Sequence, residues 1–140
     1  MKKHKVIKHS YAELFKVGRT YYSDFNFCAV IATAVINDWS FGIAKSKLES
    51  RGFRKKGKGV YPKDSHSLFA EHGKKLESLP AGLYGKTLMT FSRNIPKEGR
   101  YVIHTKGHIT AVRDGIMEDS TGAASSRKPI RALYRVVDVS

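Results

Sequence analysis

The sequence predicts an α+β domain, with helices ahead of a small antiparallel sheet. Three observations point there: an unbroken apolar run at residues 27–36, helix-capping signals at several points before Pro96, and β-prone segments separated by turn signals after it. The 140 residues, 41% hydrophobic, suffice for one core and leave little room for a second. The chain therefore reads as a single domain over 1–140, with residues 1–20 as a basic N-terminal extension.

Taken in order, Ser10 and Glu13 have capping-box spacing, which predicts a short helix to about Val17 with Gly18 ending it. The run FCAVIATAVI is apolar on nearly every face. Its three alanines, its length and Asn26 as a cap favour a buried helix with Cys28 in its first turn. Ser40 caps a second helix through Ser50, with Phe41, Ala44 and Leu48 as its apolar stripe and Gly52 as its stop. The stretch RGFRKKGKG reads as a basic loop. Asp64 then caps a helix through Glu71 ended by Gly73, and residues 87–94 form a short helical candidate stopped before Pro96.

Beyond Pro96 the pattern changes. RYVIH is β-prone, Thr105-Lys106-Gly107 turns the chain, HITAVR alternates, Asp114-Gly115 is a two-residue hairpin signal, and residues 116–119 return. A small-residue loop over 120–126 leads to a last strand at 130–139.

The net charge is +14, from 26 Lys and Arg against 12 acids, so an anionic partner is expected. No apolar run approaches the roughly 18 residues a membrane span needs. The basic N-terminus has no apolar stretch behind it and does not read as a signal peptide, so a cytoplasmic protein is expected. The lone cysteine excludes an intramolecular disulfide and thiolate-rich zinc sites.

That cysteine is either a buried small hydrophobe or a nucleophile. A thiol attacks as thiolate, and the first turn of a helix favours thiolate through free amides and the helix dipole. A base is required as well. Of six histidines, His4, His9, His66 and His72 lie among hydrophilic neighbours and read as solvated, whereas His104 and His108 fall in the strand region. Gly107 ahead of His108 is expected to let a neighbouring backbone come close. If Asp114-Gly115 is the turn, Arg113 faces Ile116, Val112 faces Met117, Ala111 faces Glu118 and Thr110 faces Asp119. His108, Thr110, Val112, Met117 and Asp119 then share one face, which selects Asp119 over Glu118 as the acid orienting His108.

The order of these parts resembles the papain-like cysteine peptidases, and is most similar to small bacterial and phage-type members related to the bacteriocin-leader-processing peptidases. The stretches that carry the resemblance are NFCAVIATAVI, SFGIAKSKLESRGFRKKGKGV and KEGRYVIHTKGHITAVRDGIMEDS. The resemblance implies a papain-like fold, its nucleophile helix buried against the sheet, and a Cys28–His108–Asp119 triad that hydrolyses a peptide, isopeptide or other amide through a thioester. It implies no cofactor. The family often has Asp or Gln just before the cysteine, where this chain has Phe27. Tyr22, Asp24 and Asn26 are then the side chains near enough in sequence to hold an oxyanion. Asn26 and Tyr22 are the better donors, because an ionised Asp24 only accepts.

The partner expected is a protein or peptide substrate of acidic character, recruited by Arg54, Lys55, Lys56 and Lys58 of the basic loop. The alternative is a basic nucleic-acid-binding module without catalysis, for which aromatics interleaved with charge at Phe53 and Tyr134 would supply stacking surfaces. No metal is expected: His104 and His108 on one strand would stand about 13 Å apart.

Overall fold

The apolar run folds as expected into helix α1, Cys28–Asn37, in which all eight residues from Ala29 to Ile36 are buried. The computed structural model describes residues 18–19, 28–118 and 126–139. The expected helix near residues 10–17, and Tyr22, Asp24, Asn26 and Asp119, lie outside them. With no polar face, α1 has to be covered on all sides.

Helix α2, Phe41–Ser50, starts where Ser40 places its hydroxyl to accept from the amide of Ile43 at 3.2 Å. Phe41, Ala44 and Leu48 are its buried stripe, and Gly52 turns the chain away at φ +74°. Helix α3, Pro62–Glu71, begins two residues before Asp64, because Pro62 takes the first helical position, where a missing N–H costs nothing. Asp64 sits in its first turn, where the helix dipole favours a carboxylate. Helix α4, Leu88–Arg93, opens on a capping box between Thr87 and Thr90.

Five strands complete the described chain: β1 Lys74–Leu79, β2 Arg100–Thr105, β3 His108–Arg113, β4 Ile116–Glu118 and β5 Ala132–Asp138. They form one antiparallel sheet in the order β1-β5-β2-β3-β4. The β3–β4 register pairs Arg113 with Ile116, Val112 with Met117 and Ala111 with Glu118, as the Asp114-Gly115 turn requires. Both turn residues have positive φ, +48° and +84°.

Strand β1 is not announced by the sequence, because KKLESL lacks a sustained apolar alternation. It is an edge strand held by pairing with β5, with Glu77 opposite Arg135 and Lys74 opposite Asp138 in ion pairs of 2.6 and 3.2 Å. Charged side chains suit an edge, since they discourage pairing with another chain.

Alternation along the strands creates two cores. Val102, Ile109, Ala111 and Val136 face α1, α2 and α3, while Tyr101, Ile103, Val112 and Leu133 face α4 on the other side of the sheet. Met117 packs with the second group. His108 has the parity of Thr110 and Val112, so the face assignment read from the hairpin holds as far as Met117.

Candidate functional site

The beginning of α1 meets the β2–β3 turn at a cleft of about 430 Å³. Cys28, the first residue of α1, and His108, the first residue of β3, both line it and both are half-buried. The cysteine is at a helix terminus whose first amides have no partner within the helix. His108 belongs by parity to the sheet face away from α1. It reaches the cleft because it stands at the strand's end, next to the Lys106-Gly107 turn.

Gly107 serves that turn differently from expectation. A Cβ there would meet nothing within 4 Å, so close approach of backbone is not its role. Its φ of +68° is the left-handed conformation the turn needs, which glycine adopts without steric cost.

The far end of α1 is held by two arginines. Arg100 donates to the carbonyl of Ile36 at 3.0 Å and Arg113 to that of Val35 at 2.9 Å. Both cations satisfy last-turn carbonyls and sit at the negative end of the helix dipole. They fix α1 to β2 and β3, the two strands whose connection carries the His108 side of the cleft.

A second imidazole, His104, lines the same cleft from β2. Its Nε2 lies 2.9 Å from the Nε2 of His66 on α3, and both rings stand nearly perpendicular to that of Tyr134. Burial, then the neighbouring His66, pushes the pKa of His104 down from 6.5 to about 4. Burial lowers that of His66 too. His104 is therefore a poor partner for a thiolate: it stays neutral, and one ring nitrogen is already engaged. His108 is left as the base candidate.

The reading of His66 and His72 as solvated is corrected. Both are half-buried, because α3 turns His66 toward the sheet while His72, just past its end, meets the Trp39 ring edge-on at 4.7 Å. Hydrophilic neighbours in sequence say little about a helical residue whose contacts lie along one face. Among the described residues, no three His, Cys, Asp or Glu side chains converge as a metal site would require.

The basic loop lies against the cleft. Gly59, Val60 and Tyr61 form one of its walls and also line a neighbouring cleft of about 460 Å³, into which Lys55 and Lys58 extend. Tyr61 is 73% exposed between the two, a position that nothing in the sequence signalled. Arg54 is corrected as a recruiting residue: its side chain is fully buried, with Nη1 3.4 Å from Glu49. Glu49 also pairs with Lys45 at 2.9 Å, so Arg54 ties the loop to α2. Lys56 is exposed and lines neither cleft.

Among the described residues, no helix is long and apolar enough to cross a membrane. No protein-family model, no curated protein and no solved structure matches the chain.

Proposed function

We propose that the protein is a papain-like cysteine hydrolase that cleaves an amide bond of a peptide or protein, with Cys28 as nucleophile and His108 as base. The observation that supports it is the cleft shared by Cys28 at the start of α1 and His108 at the start of β3. Nucleophile and base have to meet in space although distant in sequence.

In the reaction, His108 takes the proton from the Cys28 Sγ, and the thiolate attacks the substrate's carbonyl carbon. Amides at the α1 terminus, with Asn26 or Tyr22, stabilise the resulting oxyanion. Collapse breaks the C–N bond as protonated His108 gives its proton to the departing amine. Water then attacks the thioester, His108 accepts its proton, and the C–S bond breaks to release a carboxylic acid and restore Cys28. Asp119 holds the imidazole in the required tautomer.

The test is the pH dependence of Cys28 alkylation by iodoacetamide in the whole protein and in His108→Ala. Reaction at pH 6 faster than a free thiol, falling about tenfold or more in the variant, is the expected result. An ordinary profile centred near about 8.5 and indifferent to His108, or no reaction short of unfolding, overturns the reading.

A further inference from the structure

The two clefts on either side of Tyr61 have an electrostatic character that the chemistry alone does not require. Lys106 and Arg131 line the Cys28 cleft, and Lys55 and Lys58 line its neighbour; all four are exposed. None of the four makes an ion pair with a described residue. No Asp or Glu is among the described residues lining either cleft. By contrast, Glu71 is paired with Arg51, Glu77 with Arg135, and Asp138 with Arg100 and Lys74.

We propose that the two clefts form one groove across Tyr61, which seats an acidic stretch of the substrate polypeptide beside Cys28. This rests on the hydrolase reading and adds the substrate class to it. Walls of Val60, Tyr61, Phe53 and Ile109 suit the apolar parts of an extended chain, and the four cations stand where its carboxylates would end. Cations of one sign along a concave surface concentrate an anionic ligand there, and the effect is screened by salt. A nucleic-acid strand would feel the same field, but it offers no acyl carbon to the Cys28 sulfur.

Binding is measured in Cys28→Ala protein, so the result does not depend on whether Cys28 is reactive. The probe is a fluorescein-labelled deca-glutamate, followed by anisotropy, with labelled deca-glutamine beside it. The paired substitution Lys55→Glu with Lys58→Glu is compared with Lys75→Glu with Lys128→Glu, which makes the same change of charge at exposed lysines outside both clefts. Affinity for deca-glutamate is expected to exceed that for deca-glutamine, to fall with salt, and to drop about tenfold in the first pair but less than about threefold in the second.

Equal losses in the two pairs would reduce the binding to the general field of a +14 protein and overturn the groove. Tighter binding of a labelled oligo-dT, lost in the first pair alone, would overturn it in favour of nucleic acid. In wild-type protein, deca-glutamate is expected to slow Cys28 alkylation by iodoacetamide. Binding without protection would detach the groove from Cys28. Failed thiol activation alongside groove-specific binding would sink the hydrolase reading and leave the acidic ligand standing.

Discussion

His66 and His104 face each other across the α3–β2 contact with their Nε2 atoms 2.9 Å apart and their ring centroids 5.0 Å apart. The centroid separation exceeds the nitrogen separation by nearly the two ring radii, so the nitrogens point at each other in a direct hydrogen bond. One ring donates and the other accepts, which requires that at least one Nε2 carry no proton. The pair joins the helix bearing the Ser65 wall of the cleft to the strand beside His108.

This arrangement makes stability depend on pH in a definite direction. His104 has a folded pKa of about 4 against an ordinary 6.5, so in between the unfolded chain binds the proton more readily. The contribution is complete above pH 6.5 and is lost as pH falls through about 4. The lowered pKa of His66 acts in the same sense. The melting temperature of the wild type is expected to fall more steeply between pH 7 and 4 than that of His104→Gln, whose side chain does not titrate. Carboxylates titrate in both proteins and cancel in the comparison. Parallel curves would remove the pair as a source of pH sensitivity.

The arginine clamp on α1 predicts a stability effect outside the hydrophobic core. Arg113→Met keeps much of the apolar stem but leaves the Val35 carbonyl and the Asp38 carboxylate without their cation. A charge-assisted hydrogen bond in a half-buried site supports an expected loss of about 1–3 kcal/mol, measured by urea unfolding. A change below about 0.5 kcal/mol would mean that water replaces the guanidinium at little cost.

Most of the fold was legible because its signals are local. The all-apolar run of α1, the Ser40 cap and the Asp114-Gly115 turn each specify structure through neighbours a few residues away. Strand β1 was not legible, since its identity comes from β5, far along the chain, rather than from its own pattern. The site divides the same way. Cys28 and His108 stood out from their element positions, whereas the His66–His104 pair, the burial of Arg54 and the exposure of Tyr61 depend on which face each element turns to its neighbours.

The apolar stripe of α2 gives a prediction from packing alone. Leu48 is fully buried in the core shared by α1, α2 and α3. Leu48→Ala removes that contact area and leaves a cavity, for an expected loss of about 2–5 kcal/mol in urea unfolding. A loss near about 1 kcal/mol would show that the neighbouring helices close over the gap.

The proposed chemistry distinguishes two adjacent acids. Glu118 is paired with Ala111, whose side chain faces α1, and the proposed triad gives the orienting role to Asp119 rather than to Glu118. An acid that holds an imidazole in one tautomer affects reactivity more than stability. Asp119→Ala is therefore expected to slow Cys28 alkylation at pH 6 by about tenfold, with Asp119→Asn less impaired in geometry but still slow, while Glu118→Ala stays within about twofold of wild type. Circular dichroism at the same pH checks that all three variants fold. The reverse order, with Glu118 the sensitive position, would exclude Asp119 as the orienting acid.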